Sequence, residues 1–133
     1  MVTDLERIGD HASDIAELIL RIKSEHAYHI VKHLPVMAAS ANAMVHDAIE
    51  AFIDQDLDAA MEIIERDDEV DTLFNQVKDD VIHLLQSSPD QADQGIDLLM
   101  VAKYLERIGD HAVNVCEWTQ FSKTGALKNV RIM

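Results

Sequence analysis

This chain is poor in almost everything that stops a helix. Its 133 residues include two prolines, four glycines and 5% aromatics, while Leu, Ile, Ala, Met, Glu and Asp dominate, a helix-forming mixture with little turn chemistry. A single cysteine, Cys116, excludes an intramolecular disulfide framework and is compatible with a reducing compartment. No apolar run approaches the length of a membrane span, and the N-terminus lacks the basic-then-apolar layout of a signal peptide. A soluble cytoplasmic protein is expected. Basic residues are scarce too: 11 Lys and Arg stand against 25 Asp and Glu, for a formal net charge of -14. Phosphate backbones would be repelled, so no nucleic-acid partner is expected. The charge suits a cation binder, or a protein that docks on a basic surface. The length allows one small domain with a real core and is too short for two.

What is present is a repeat. The octapeptide Leu-Glu-Arg-Ile-Gly-Asp-His-Ala runs from Leu5 to Ala12 and again from Leu105 to Ala112. Such identity points to a repeated unit of about a hundred residues. Each copy holds an acid-x-x-x-acid pair, Glu6/Asp10 and Glu106/Asp110. Four residues make about one helical turn, so both carboxylates of a pair point to nearly the same side. Their repulsion calls for compensation, for which a bound cation is the obvious candidate.

Hydrophobic periodicity places four helices. The first runs from Val2 to about Lys23 on Leu5, Ile8, Ala12, Ile15, Leu18, Ile19 and Ile22, with Thr3 or Asp4 able to cap it. Ser24 to His33 reads as a polar, His-rich connection, a solvated helix end whose His26, His29 and His33 match no strong metal-ligand spacing. Leu34-Pro35 opens a second helix, to about Ile53, with Pro35 in its first turn. Asp56 caps a third, continuous from Leu57 to about Gln86. Ser88-Pro89 starts the fourth, which ends near Trp118 and leaves a weakly patterned tail over 119–133. No stretch alternates as a strand. The fold expected is all-α, an antiparallel helical bundle with short turns.

Projected at about 100° per residue, Asp67 falls inside the apolar arc of the third helix and Asp71 at its border. Glu106 and Asp110 lie just beside the arc of Leu105, Gly109 and Ala112, where Gly109 permits close approach. If the third and fourth helices are antiparallel neighbours, Asp67 and Asp71 face Glu106 and Asp110. Oxygen-only ligands suit hard or borderline divalent ions, or iron or manganese in a cluster. Glu50, Glu62, Glu65 and Asp68 read instead as a solvated face. His11 and His111 project to the surface, His46 sits at a core edge as a structural residue, and Cys116 is a buried small hydrophobe.

Asp4-Leu-Glu-Arg-Ile-Gly-Asp-His-Ala12 and Tyr104-Leu-Glu-Arg-Ile-Gly-Asp-His-Ala112 resemble the signature helices of PhoU proteins, bacterial regulators of phosphate transport and phosphate sensing. Met44-Val-His-Asp-Ala48 resembles the start of that family's second bundle. Glu65-Arg-Asp-Asp-Glu-Val-Asp71 resembles its middle-helix acidic motif, and Val115-Cys-Glu-Trp118 the end of its last helix. The resemblance implies two three-helix bundles in tandem, of which this chain carries only part. Residues 1–25 would be the last helix of an incomplete first bundle, an N-terminally truncated one, and residues 34–118 a complete second bundle. The family's paired metal-binding motifs carry over as Asp67/Asp71 with Glu106/Asp110. Glu6 and Asp10 match the motif as well, but their partner helix is absent.

The function implied is a metal-binding regulatory adaptor, not an enzyme. It would restrain uptake by a phosphate ABC transporter, acting on its ATPase, and help silence the phosphate sensor histidine kinase. The implied cofactors are Zn, Fe, Mn, Ca or Mg ions in a carboxylate cluster. The apolar face of the first helix lacks its usual neighbours, so a homodimer or a swapped oligomer is expected. Two other readings remain open. A carboxylate-bridged di-metal enzyme needs Glu-x-x-His on two helices, and no Glu here has His three residues later. A purely structural bundle would hold no metal, and Asp67→Asn would then be neutral or stabilising in every buffer.

Overall fold

The computed structural model describes residues 1–22 and 25–132, with side chains described for all of these but 25 and 124–132. Six α-helices account for nearly all of it, and the described residues include no strand. In chain order they are α1 (Val2–Arg21), α2 (Glu25–Ile30), α3 (Leu34–Asp54), α4 (Leu57–Glu65), α5 (Asp67–Ser87) and α6 (Ala92–Ile132), with a 3-10 turn at Pro89–Gln91. Local chemistry sets the boundaries. Pro35 sits in the first turn of α3, where its missing N–H costs nothing. Gln55 takes the left-handed conformation (φ 53°) between α3 and α4, and its amide donates to the Phe52 carbonyl at 2.9 Å. Asp56 then caps α4 by accepting the Ala59 N–H at 3.1 Å.

α6 is the central helix. One side of it meets α3, α4 and α5 in a core where Met37, Met44, Val70, Val77, Val81, Leu84, Leu98 and Val115 are buried. The other side carries α1, laid antiparallel so that Asp4 meets His111 and Arg21 meets Asp97 at 2.8 Å. Cys116 is buried in the core as expected, and burial pushes its thiol up to about 11. No helix of the described residues is long and apolar enough to cross a membrane.

Three boundaries differ from the sequence reading. The third helix is not continuous: it breaks at Arg66, whose N–H bonds the Ile63 carbonyl at 3.0 Å in a tightened turn. The break starts a new helix at Asp67 and puts Asp67, Asp68 and Glu69 in its first turn, where exposed N–H groups favour negative charge. The His-rich connection contains a helix, α2, anchored by Ala27 and Val31, which are buried; Lys23 and Ser24 lie outside the described residues. The fourth helix passes Trp118 and continues to Ile132, across the expected start of a tail. No proline follows Trp118, and the buried Thr119 donates its hydroxyl to the Val115 carbonyl at 3.2 Å, so packing carries the helix onward.

Candidate metal centre

The break at Arg66 aims the start of α5 at the second octapeptide. Gly109 is the contact point: a Cβ there would lie 3.6 Å from both Asp67 Oδ1 and Val70 Cγ1. Any longer side chain would hold α5 away from α6. Asp67 is half-buried at this seam, and its Oδ1 is buried with no hydrogen-bond partner. Such an atom forfeits the water it would bond when unfolded. Burial, followed by the charges of Asp71, Asp110, Asp68 and Glu106, pushes the Asp67 carboxyl up to about 6. Asp71 is raised by desolvation and then by Glu106 and Asp68. Asp110 is raised by desolvation and then by Glu106 and Asp71.

Asp67, Asp71, Glu106 and Asp110 therefore share one mutually repelling field across the α5–α6 seam. Glu106 is partly relieved by Lys103, whose Nζ donates to its Oε1 at 2.7 Å, and the same Nζ lies 5.5 Å from the Phe74 ring centre. Asp71 and Asp110 stand at the exposed rim, Asp67 at the bottom. The orphaned oxygen and the all-oxygen donor set fit a hard divalent or iron-type cation. The side chains as placed are not drawn tight around a point. Among the described residues, the one group with three ligand atoms all within 4.8 Å is elsewhere: His46, Asp47 and Glu50 on α3.

The first acidic pair is placed differently. Glu6 and Asp10 are exposed on α1, and Gly9 has nothing within 4 Å of where its Cβ would be. No described helix covers them, so the structure does not bring them together with Asp67, Asp71, Glu106 and Asp110.

The histidines overturn two sequence readings. His11 is buried rather than on the surface, with its ring 5.4 Å from Tyr104 and 5.7 Å from His111, and burial and the neighbouring His111 lower its pKa. His111 is half-buried and meets Asp4 Oδ1 at 3.0 Å, an oxygen that also accepts from Asn114 at 3.1 Å. Both rings were expected to face away from the core arc, and they do; what fills that side is the other octapeptide. Asp4 and Tyr104 each precede their copy by one residue. The contacts Asp4–His111 and Tyr104–His11 are thus the same contact with the copies exchanged. That quasi-twofold relation was the available signal. His46 is exposed instead of sitting at a core edge, because it lies on the side of α3 opposite to the buried Met44 and Ala48. Asp47 beside it takes Arg66 at 2.7 Å, a tie between α3 and the α4–α5 joint that no spacing rule suggested.

Comparison with known proteins agrees with this geometry. A family model described as the PhoU domain matches residues 34–119. The phosphate-specific transport system accessory protein PhoU homolog of Clostridium acetobutylicum is 41% identical over 125 residues, covering 94% of this chain and 57% of the relative. PhoU homolog 1 of Thermotoga maritima is 34% identical over 129 residues, covering 96% of this chain and 55% of the relative. The crystal structure of PhoU from Pseudomonas aeruginosa superposes with a TM-score of 0.82 at 30% identity, over 93% of this chain and 60% of that one. The phosphate transport system regulatory protein PhoU from Streptococcus pneumoniae gives 0.78 at 29%, over 92% and 58%. The chain spans about half the length of the curated relatives it matches.

Proposed function

The chain belongs to the PhoU family, and on that premise we propose that it is a metal-binding regulatory adaptor of a phosphate-specific transport system. It acts by binding, not by catalysis, and as a negative regulator. Its cytoplasmic partners are the transporter's ATPase and the phosphate sensor histidine kinase. The relatives, accessory proteins of phosphate-specific transport systems, support the transport-system part. The observation that carries the metal part is the orphaned Asp67 Oδ1 inside a field of like charges. Asp67, Asp71, Glu106 and Asp110 would hold the ion, which supplies the positive charge that ties α5 to α6. Glu6 and Asp10 are the equivalent donors on α1, awaiting a covering helix.

The test is thermal unfolding of the chelator-treated chain, with and without Zn²⁺, Fe²⁺, Mn²⁺, Ca²⁺ or Mg²⁺. A ligand that binds only the native state raises its Tm, by about 2.7 kcal/mol of stability at a hundredfold excess over Kd. One ion at least should stabilise the wild type and leave Asp67→Asn/Glu106→Gln unmoved. If no ion shifts the wild type, the metal reading fails.

α1 supports a second element of this proposal. Its apolar residues span an arc of roughly 200°, about twice the stripe a one-sided surface helix needs. α6 covers the half bearing Ile8, Ile15, Leu18 and Ile22, while Val2, Leu5, Gly9, Ala12, Ala16, Ile19 and Leu20 stay exposed, Leu20 at 80%. The chain taken alone should therefore self-associate through α1. Sedimentation over a hundredfold concentration range, about two decades of mass action, should show a monomer–dimer equilibrium that Leu5→Glu/Leu20→Glu abolishes; a wild type that stays monomeric throughout removes this element.

A further inference from the structure

Among the described residues, a cleft that brings a lysine and two histidines together stands out in this acidic chain. It lies between α2 and α5, has a volume of about 490 Å³, and is lined by His29, Ile30, Lys32, Asp80 and His83. The acid among its described lining residues, Asp80, is already engaged. Asp80 Oδ2 accepts the His33 backbone N–H at 3.1 Å and meets the His33 ring Nδ1 at 2.7 Å. What remains free to meet a ligand is an ammonium and two imidazoles, all good donors. The contrast with the α3–α4 cleft is direct: there Asp47, Glu50, Asp54, Asp56 and Glu62 crowd around the single cation Arg66. In a chain of net charge -14, a cleft with Lys32, His29 and His83 on its walls is set apart by its charge.

We propose that the α2–α5 cleft binds a small tetrahedral oxyanion through Lys32, His29 and His83. A metal ion is the less suitable occupant, because His29, His83 and Asp80 do not bring three ligand atoms within 4.8 Å of one another. An oxyanion offers several acceptor oxygens and so bridges donors that a single ion cannot reach together. Charge-assisted N–H···O bonds of this kind are the strong ones, and Lys binds such anions as a point charge. The position is separate from the metal centre. Asp80 lies nine residues beyond Asp71 on α5, about 13 Å along the helix. The cleft also joins α5 to the α2 connection, so an occupant would tie α2 to the helix that carries Asp67 at its other end.

The experiment is a titration of the full, chelator-treated chain with inorganic phosphate at constant ionic strength, following the side-chain resonances of His29, Lys32 and His83 by NMR. Saturable shifts at these three residues are expected, with sulfate competing and acetate not. Lys32→Ala and His83→Ala should each weaken binding about fivefold or more. All three side chains are exposed, so these variants keep the fold. Asp67→Asn/Glu106→Gln should bind phosphate as the wild type does, which separates this site from the metal reading. Shifts that never saturate, that acetate reproduces, or that vanish in the Asp67→Asn/Glu106→Gln variant would overturn it.

Discussion

The two copies of Leu-Glu-Arg-Ile-Gly-Asp-His-Ala are a controlled comparison inside one molecule. Sequence, and with it helix propensity, is held constant; only the neighbours differ. In the second copy Leu105 is 7% exposed, Ala112 is fully buried, and Gly109 lies against Asp67 and Val70. In the first, Leu5 is 37% exposed, Ala12 faces solvent, and Gly9 touches nothing. The side bearing His11 and His111 is shared, because there each copy covers the other. The repeat therefore encodes two functions in one helix. One face pairs the copies, and the other meets the carboxylate-bearing start of α5 in the second copy. In the first copy no described helix covers that face.

The sharpest way to break the comparison is a matched pair of truncations. Leu105→Ala should cost about 2–4 kcal/mol, as for other buried leucines. Leu5→Ala should cost less, about 1 kcal/mol, since 37% of its surface stays in water in the folded chain. Urea unfolding of both variants checks this; equal costs would mean that the two copies are packed alike.

A smaller effect separates the acidic pairs. In the fold the Asp67 carboxyl titrates at about 6, above its ordinary 3.8. The native state therefore holds this proton more tightly than the unfolded chain does. The stability contributed is fully present below about pH 4 and is lost as pH rises through about 6. Without metal, the wild type should weaken across that window. Asp67→Asn should flatten the curve and gain about 1 kcal/mol at pH 7. Glu6→Gln, at an exposed position on the uncovered copy, should change stability by no more than about 0.5 kcal/mol. Chelator-treated urea titrations at pH 5 and pH 7.5 give the answer, and an Asp67→Asn profile parallel to wild type would clear Asp67 of strain.

The helices were legible because their signals are local. Pro35 and Asp56 mark boundaries that the structure keeps to within a residue or two, while Ser88-Pro89 opens a 3-10 turn and the α-helix starts three residues after Pro89, at Ala92. The break at Arg66 was not legible. No Gly or Pro marks the turn, Asp67 and Asp68 being the only weak helix formers beside it, and Arg66 there reaches Asp47 nineteen residues back. Likewise Asp67 could be placed on the apolar arc by projection, while its orphaned oxygen could not, since that depends on what Gly109 leaves open.

By itself the sequence determined the all-α fold, the repeat and the face on which each carboxylate sits, because helical periodicity is a property of neighbours three and four residues apart. Tertiary structure alone decided which copy of the repeat is covered, which histidines are buried, and where Asp80 and Asp47 find partners. Those outcomes depend on contacts across 19 to 107 positions of chain. No local pattern carries them, because the same eight residues are buried against α5 in one place and left open to water in the other.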